Sequence, residues 1–248
     1  LPAYAKRLTD LFPSPLNVVM FVNSGSEAND LALRLARNFT GKKDILVMDK
    51  AYHGNTSAVT EISPNRIVGN GRPGLPEHVH GVKLADTFRG EVKADDPSAG
   101  KYYAKSVKTV LKQLNMQGRD AAAFVCESFV GTGGQYRLPD DYLHHAYSYA
   151  RERGLLCIAD EVQMGFGRSG ETWCFETQGV IPDIVTLGKP IGNGHPMAAV
   201  ITTSEIAEAF NNDIPFFNTF GGNPVSCATG MAVLDVLENE QLITNVKA

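Results

Sequence analysis

An acid and a lysine, each placed just after a mainly apolar run, are the residues of this sequence best suited to chemistry. Asp160 follows the run at 155–159, and Lys189 follows a second run at 183–187 after one glycine. Runs of this length are typical of buried strands, and the glycines and prolines behind both residues favour loops. Open α/β sheets bind their ligands at the carboxyl ends of strands. We therefore predict that Lys189 is an amine nucleophile and Asp160 the partner of a cofactor's protonated ring nitrogen.

Polar or small residues follow three other predicted strands. Ser24-Gly25-Ser26 follows residues 18–22 and opens a helix, Tyr52 comes soon after 45–48, and Glu127 follows 122–126. In a parallel sheet these positions gather along one edge. Free backbone N–H groups at a helix start suit a phosphate, and the ring of Tyr52 suits stacking on a pyridine face. With Asp160 and Lys189, the set matches the parts of pyridoxal phosphate.

Each residue also has a simpler interpretation. The serines and glycine at 24–26 would serve as a helix cap, Tyr52 as core, Asp160 as part of a solvated turn and Lys189 as surface charge. The combination favours the cofactor, because unrelated caps and turns have no reason to supply every group that one ligand needs.

Other ligand classes fit the sequence less well. Gly-x-Gly-x-x-Gly strings at 69–74 and 165–170 match the dinucleotide fingerprint, but neither lies between a predicted strand and a clear helix, so nicotinamide binding is the weaker alternative. The histidine pairs 78/80 and 144/145 lack a convergent third ligand, which argues against a metal site. The four cysteines are scattered without Cys-x-x-Cys spacing, and we expect buried, reduced thiols.

Composition sets the broad class of the protein. The chain has 248 residues, 43% of them hydrophobic, and a net charge of −4. This charge gives no electrostatic reason to expect nucleic acid or an anionic membrane as a partner. No apolar run approaches the length of a membrane span, and the first residues lack the layout of a signal peptide. We expect a soluble, cytoplasmic protein.

Predicted strands and helices alternate along the chain, which indicates an α/β fold with a mostly parallel sheet and helices on both faces. Helices are expected at 1–12, from 24 to about 39, at 102–114, at 205–210 and at 224–237, with another that Asp140 caps and Gly154 ends. Ser204 is the expected cap of 205–210. Residues 65–100 are rich in glycine, proline and charge and are expected to form a long surface excursion with one short strand near 80–82.

Six stretches together closely resemble the class III aminotransferases, in the order of that family and over nearly the whole chain. They are Phe21-Val-Asn-Ser-Gly-Ser-Glu-Ala-Asn-Asp30, Tyr52-His-Gly54, Ile158-Ala-Asp-Glu-Val-Gln-Met-Gly-Phe-Gly-Arg168, Pro182-Asp-Ile-Val-Thr-Leu-Gly-Lys189, Gly192-Asn-Gly-His-Pro196 and Asn218-Thr-Phe-Gly-Gly-Asn-Pro224. The resemblance implies the large, cofactor-binding domain of the fold type I pyridoxal-phosphate enzymes. Residues 1–248 are expected to be this domain, cut at both ends, without the N-terminal segment and the small C-terminal domain.

The resemblance also implies a role for individual residues. Lys189 matches the lysine that forms the aldimine with pyridoxal 5'-phosphate, and Asp160 matches the partner of the pyridine nitrogen. Glu127 matches a glutamate near substrate and cofactor. The remaining matches are binding residues: Gly25 and Ser26 for the phosphate, Tyr52 and Val162 for the two ring faces, Gln163 near the ring hydroxyl, and Thr219 for the phosphate held by a neighbouring subunit. The implied assembly is a homodimer with a shared active site and a small-molecule amine as substrate.

The reaction stays open at this point. Pro190 after the lysine, with the stretches 188–196 and 223–227, resembles phospho-lyases that act on phosphoethanolamine or phosphohydroxylysine, whereas residues 197–203 equally resemble the alanine-glyoxylate type of transaminase. The family's arginine for a substrate carboxylate is expected beyond these residues. A non-catalytic homologue, or an inactive fragment that keeps the fold, is the alternative from another class.

Overall fold

Seven strands form one sheet in the computed structural model, which describes residues 1–213 and 216–248. The strands are β1 (Val18–Val22), β2 (Asp44–Met48), β3 (Val79–Val82), β4 (Ala121–Glu127), β5 (Leu156–Asp160), β6 (Ile184–Leu187) and β7 (Ala198–Thr202). Their order is β1-β7-β6-β5-β4-β2-β3. β7 runs antiparallel to both of its neighbours, and the remaining pairs are parallel. The carboxyl ends of β2, β4, β5 and β6 therefore share one edge of the sheet.

Helices cover both faces of this sheet. They are α1 (Pro2–Thr9), α2 (Gly25–Thr40), α3 (Ser57–Glu61), α4 (Pro64–Ile67), α5 (Ala99–Met116), α6 (Tyr142–Arg151), α7 (Ser204–Asp213), α8 (Pro224–Asn239) and α9 (Leu242–Lys247), with short 3₁₀ helices at Cys174–Gln178 and Lys189–Ile191. Side chains alternate along β5, so Ile158 packs in the core beneath α2 and α7, while Cys157 and Ala159 face the helices on the other side. Both faces of the central strands are thus buried, and the predicted arrangement of sheet and helices is confirmed.

Two predicted helix caps are wrong. α6 begins after Asp141 rather than Asp140, and it ends at Arg151, three residues before Gly154. Gly154 has a left-handed φ of +70°, but it lies in the turn after the helix. The two aspartates are adjacent, and sequence spacing does not decide which of them precedes the first helical hydrogen bond.

α7 shows the second difference, because Ser204 lies within the helix instead of capping it. The hydroxyl of Thr203 accepts a hydrogen bond from the Ile206 N–H at 3.3 Å, so Thr203 supplies the cap contact. The short helices α3, α4 and α9 were not predicted. α4 lies at the start of the region expected to form a surface excursion. The proline in its first turn has a φ angle suited to a helix start, which favours this short helix.

The described residues also bear on membrane binding, metal binding and the state of the cysteines. Among the helices of the described residues, none combines the length and the apolar character that crossing a membrane requires. No cluster of histidine, cysteine or acidic side chains in the described ranges has the geometry to hold a metal ion. The four cysteines are buried and free.

Candidate functional site

The polar strand ends meet around a cavity of about 200 Å³ at the carboxyl edge of the sheet. The residues predicted from the sequence that line it are Gly25, Ser26, Tyr52, Glu127, Asp160, Val162, Gln163 and Lys189. Thr219 does not line this cavity, and its side chain is exposed. A larger groove of about 530 Å³ lies along α8, but apolar side chains form most of its wall. The smaller cavity is where acidic, amine and backbone donor groups converge.

The start of α2 offers two unused backbone donors to this cavity. Ser24 caps the helix by accepting the Glu27 N–H at 3.2 Å, and the Glu27 carboxylate accepts the Asn23 N–H in return at 2.6 Å. The N–H groups of Gly25 and Ser26 have no partner among the described residues. A helix of 16 residues presents a partial positive charge at this end. The site is suited to an anion such as a phosphate group.

Two glycines allow the chain segments around the cavity to approach closely. A Cβ on Gly25 would lie 2.5 Å from Val162 Cγ1, and a Cβ on Gly54 would lie 2.5 Å from Ser26 Oγ. No side chain larger than hydrogen fits at either position without displacing its neighbour. The α2 start can therefore rest directly against the loop after β5, which brings the backbone donors near Asp160.

Asp160, the last residue of β5, is only 6% exposed and receives hydrogen bonds on both carboxylate oxygens. Asn29 Nδ2 and His53 Nδ1 both lie 2.8 Å from Asp160 Oδ2, and the Val162 N–H donates to Oδ1 at 3.0 Å. No lysine or arginine pairs with it among the described residues. The carboxylate is fixed in orientation and lacks a permanently charged cationic partner.

The residues that hold Asp160 include some that sequence reasoning missed. Thr186 Oγ1 donates to Asn29 Oδ1 at 2.8 Å, and Asn29 Nδ2 also donates to the His53 carbonyl at 2.7 Å. Asn29, Thr186 and His53 are all buried. The available signals were a polar residue on the apolar face of α2 and a threonine within the apolar run of β6.

Lys189 places a free amine at the cavity. Its Nζ makes no hydrogen bond or ion pair with any described residue, and its backbone has a φ of +28°, in the left-handed region. The preceding Gly188 passes so close to Val162 that a Cβ there would lie 2.9 Å from Val162 Cγ1. Strained backbone of this kind persists where the surrounding structure enforces it, and it clusters at functional sites.

Glu127 joins two loops at the cavity wall. Its carboxylate accepts the Tyr52 N–H at 3.1 Å and the Gly131 N–H at 2.6 Å. Burial raises the pKa of Glu127, with a further contribution from the nearby charge of Asp160, while His53 acts in the opposite direction. The raised pKa and the position of Glu127 at the cavity wall are features of a functional carboxyl group.

Tyr52 forms one side of the cavity, and the guanidinium carbon of Arg66 lies 4.9 Å from the centre of its ring. This distance is within the range of a cation–π contact. Arg66 is exposed and lies on α4, so the contact links the short helix of the excursion to the aromatic wall of the cavity.

Comparison with known proteins decides the family. The model of the class III aminotransferases matches residues 2–248. The chain belongs to this family. Among its relatives, an "alanine--glyoxylate aminotransferase 2-like" protein of Drosophila melanogaster is 48% identical over 243 residues, which are 96% of this chain and 49% of the relative. The resemblance drawn from the sequence motifs is thereby confirmed.

Solved structures support the same family at the level of the fold. A phospholyase from Arthrobacter in complex with phosphoethanolamine is 39% identical with a TM-score of 0.89, and the match covers 98% of this chain and 57% of that protein. An amine transaminase from an uncultivated Pseudomonas species, in its PLP-bound form, is 30% identical with a TM-score of 0.88, over 98% of this chain and 58% of the other. The class III aminotransferase chain thus has the fold type I architecture, and pyridoxal phosphate is the supported cofactor. It spans about half the length of the relatives it matches.

Proposed function

We propose that this class III aminotransferase chain is the cofactor-binding part of a pyridoxal-phosphate-dependent enzyme that acts on a primary amine. The observation that carries the proposal is the cavity where the free amine of Lys189 and the buried carboxylate of Asp160 meet the unused N–H groups at the start of α2. Each group has a counterpart on the cofactor: an aldehyde for the amine, a protonated ring nitrogen for the carboxylate and a phosphate for the N–H groups. The residues present therefore fit pyridoxal phosphate.

The residues around the cavity then have distinct tasks. Gly25 and Ser26 would bind the phosphate, and Asp160 would keep the proton on the ring nitrogen. When bound, pyridoxal phosphate supplies an aldehyde that takes up the substrate amine and a protonated ring that withdraws electrons from the neighbouring carbon. Lys189 Nζ acts as the general base at that carbon.

The remaining predicted residues define the walls of the site. Tyr52 and Val162 would cover the two faces of the ring, Gln163 would lie near the ring hydroxyl, and Glu127 fixes the loop that carries Tyr52. The two backbone N–H groups that Glu127 accepts support this last role, because they belong to loops on different sides of the cavity.

Two reactions follow from this site, and each has support. The likeness to a phospholyase that is bound to phosphoethanolamine favours elimination of phosphate from an amine phosphate. The likeness to an alanine-glyoxylate aminotransferase 2-like protein and to an amine transaminase favours transfer of the amino group to a keto acid. Both reactions need the same proton removal by Lys189 and differ in what leaves the substrate.

The cofactor assignment is tested with visible absorbance and covalent trapping. The purified protein is expected to absorb in the visible range with pyridoxal phosphate, and borohydride reduction followed by peptide mapping is expected to place the cofactor on Lys189. Lys189→Ala should abolish turnover and trapping. Lys50→Ala is the matched control, because Lys50 also follows a strand with positive φ but does not line the cavity. Turnover by Lys189→Ala, or trapping at another lysine, would overturn the assignment, and a wild type that binds no cofactor would favour the non-catalytic homologue.

The reaction is tested with phosphoethanolamine in the absence of a keto acid. Release of phosphate and ammonia in equal amounts supports the phospho-lyase. Turnover that requires a keto acid, with no release of phosphate, supports the aminotransferase. Lys189→Ala serves as the background rate for both assays.

We further propose that two copies of the chain form a homodimer through the surface around Thr219. The neighbouring side chains Phe217, Phe220 and Val225 are 83%, 70% and 66% exposed, which is unusual for residues of this size and close together in sequence. The exposure of Thr219 within this surface supports the proposal that it contacts a site on a second copy. Sedimentation velocity measures the assembly, and a monomer that keeps full activity would contradict the shared site.

A further inference from the structure

Arg66 is a cation beside the cavity that has no task in the proposed function. Its guanidinium carbon lies 4.9 Å from the centre of the Tyr52 ring, and Tyr52 forms one side of the cavity. The Arg66 side chain is exposed and makes no ion pair or hydrogen bond with any described residue. A cation–π contact uses the charge of the guanidinium and none of its five N–H donors, so these stay available to a ligand.

Backbone contacts fix α4, the helix that carries this arginine, against the segment that carries Tyr52. The helix begins directly after Ser63, whose Oγ accepts the His53 N–H at 3.0 Å. The Asn65 N–H donates to the Ala51 carbonyl at 3.1 Å. These two contacts lie on either side of Tyr52 in the sequence. The cation and the ring are therefore held together before any ligand binds, which lowers the cost of ordering them.

The charges that line the cavity do not suit an anionic substrate by themselves. Glu127 and Asp160 are acids of the wall, and among the described residues the only lysine or arginine in it is Lys189. In the proposed function the Lys189 amine is committed to the cofactor, and the cofactor itself adds a phosphate. Like charges repel each other strongly in a partly buried site, so an anionic substrate needs a further cation.

Both reactions proposed for this enzyme use a substrate that carries an anionic group. An amine phosphate has a phosphate, and an amino acid has a carboxylate. The amine of either substrate has to reach Lys189 within the cavity, so the anionic group at its other end lies nearer the rim. Tyr52 is only partly buried and Arg66 is exposed, which places this cation at the rim.

We propose that Arg66 binds the anionic group of the substrate, a phosphate or a carboxylate, and thereby selects charged amines over neutral ones. This inference rests on the proposed function. A guanidinium can donate two parallel hydrogen bonds to either group, which fixes the orientation of the substrate as well as its charge. The contact with Tyr52 then places the bound anion beside the aromatic wall of the cavity.

A second arginine gives the rival position for the anion. Arg137 and Arg168 line a neighbouring cavity of about 560 Å³, which shares Phe129 and Met164 with the cofactor cavity. Arg137 pairs with Asp140 at 3.5 Å, whereas Arg168 makes no ion pair with a described residue. A substrate that used Arg168 would have to extend past Phe129 and Met164, and a variant of Arg168 tests that route.

The test measures how tightly the holoenzyme binds pairs of amines that differ only in the anionic group. The pairs are phosphoethanolamine with ethanolamine and alanine with ethylamine, and the change in the visible band of the cofactor reports binding. Wild type is expected to bind the charged member of at least one pair more tightly. In Arg66→Gln the Kd of that amine should rise about 10-fold to 100-fold, the loss of hydrogen bonds between charged groups. The Kd of its neutral partner should change less than about threefold.

Three further variants sharpen this comparison. Arg66→Lys keeps the charge but loses the two-point contact, and its Kd should lie between those of wild type and Arg66→Gln. Arg34→Gln is the matched control, because Arg34 is also an exposed arginine over a ring, 5.2 Å from the centre of Phe210, but does not line the cavity. It should keep the wild-type Kd values. Loss of the preference in Arg168→Gln and not in Arg66→Gln would overturn the proposal.

A second measurement does not need a neutral amine that binds. Inorganic phosphate and acetate are added to the holoenzyme as competitors of the charged amine that wild type binds. The anion that matches the group of this amine is expected to compete about tenfold more weakly in Arg66→Gln than in wild type. If the neutral amines bind too weakly to measure, this competition decides, and equal competition in both proteins would overturn the role of Arg66.

The outcomes separate this inference from the proposed function. A wild type without preference for charged amines, or an Arg66→Gln holoenzyme that keeps the preference, would overturn the role of Arg66 alone. Equal weakening of charged and neutral amines would mean that Arg66 only supports Tyr52, and loss of the cofactor from Arg66→Gln would mean that it binds the cofactor; both results count against the proposal. A wild type that binds no pyridoxal phosphate would overturn the proposed function as well.

Discussion

Asp44 begins β2 and Asp160 ends β5, so these two buried aspartates lie at opposite ends of the same sheet. Asp44 has one permanently charged partner, Arg119, whose Nη2 lies 2.8 Å away, and a histidine partner, His80, whose Nε2 lies 2.9 Å away. Asp160 receives hydrogen bonds from an amide, a backbone N–H and a histidine ring, and from no lysine or arginine of the described residues. The same side chain is thus balanced by a cation at one end of the sheet and by oriented donors at the other.

The electrostatic consequence is visible at Asp44. Burial alone would raise the pKa of this carboxyl, but the hydrogen bonds and charges of Arg119 and His80 outweigh it and hold the pKa below its ordinary value. Its charge is neutralised within the protein. A buried carboxylate without such a partner lowers the stability of the folded state. At Asp160, a positive charge would come only from a bound ligand. The comparison teaches that the amino end of the sheet is built for stability and the carboxyl end for binding.

The largest effect is expected from Asp160→Asn. The amide cannot hold the ring nitrogen proton of the cofactor as an anion does, and breaking such a buried charged contact costs about 3–5 kcal/mol. We therefore expect kcat/KM to fall by about 100-fold to 1,000-fold or more. The substitution removes a buried charge that has no lysine or arginine partner, which offsets the hydrogen bond that the amide can no longer accept. We therefore expect the free energy of unfolding of the cofactor-free protein to change by less than about 1 kcal/mol. Urea unfolding and turnover assays measure the two effects.

A cofactor-free Asp160→Asn protein that is clearly less stable would show that Asp160 contributes to folding as Asp44 does. In that case the contrast between the two ends of the sheet would not hold.

Glu161 extends the comparison to a second acid at the carboxyl end. It is fully buried, and its carboxylate accepts the N–H groups of Cys174 and Phe175 at 2.8 and 3.0 Å. Burial raises the pKa of Glu161 to about 7, above an ordinary value of 4.5. Between these values the folded protein binds more protons than the unfolded chain, so its stability falls as pH rises from about 5 to 8, by up to about 3 kcal/mol. Glu161→Gln removes this titration and should flatten that slope.

The glutamine also loses one of the two backbone hydrogen bonds, because its side-chain NH₂ group cannot accept a hydrogen bond from a backbone N–H. We expect Glu161→Gln to be less stable than the wild type near pH 5, by about 1 kcal/mol, and equal or more stable near pH 8. Glu176→Gln is the control: Glu176 accepts the Trp173 N–H at 2.9 Å in the same segment but is exposed. Urea unfolding across this pH range that gives parallel curves for wild type and Glu161→Gln would rule out the titration.

Much of the fold could be predicted because its signals are local. The apolar runs at 18–22, 45–48 and 122–126 match β1, β2 and β4 to within a residue at each end, and their alternation with helices indicates a parallel sheet. The chemistry at strand ends follows from the same rule, so Asp160 and Lys189 could be placed at one edge before any geometry was known. The helix boundaries near Asp140 and Ser204 could not be predicted, because neighbouring polar residues compete for the same cap position.

The network behind Asp160 could not be predicted, for a physical reason. Asn29 and Thr186 are 157 residues apart and meet only through packing of α2 on β6. Both lie within stretches that resemble the family, but the resemblance gave neither residue a role, and a buried asparagine can satisfy its hydrogen bonds with many partners. The tasks of Gln163 and Thr219 stay predictions, since they depend on a bound cofactor and on a second copy of the chain.

An effect smaller than the full Glu161 titration of about 3 kcal/mol is expected from Asp44→Asn, the same substitution as at Asp160 but at the opposite end of the sheet. It leaves Arg119 in place, but the Arg119 side chain is 29% exposed and also pairs with Glu77 at 2.8 Å, so solvent and a second acid offset part of the loss. We expect the free energy of unfolding to fall by about 1–2 kcal/mol, less than for a fully buried pair. Because Asp44 lies at the amino end of β2, cofactor binding and kcat/KM should keep their wild-type values. The two variants thus make a matched pair: Asp160→Asn should lose activity and keep its stability, whereas Asp44→Asn should lose stability and keep its activity. An Asp44→Asn protein with impaired cofactor binding would show that the two ends of the sheet are coupled.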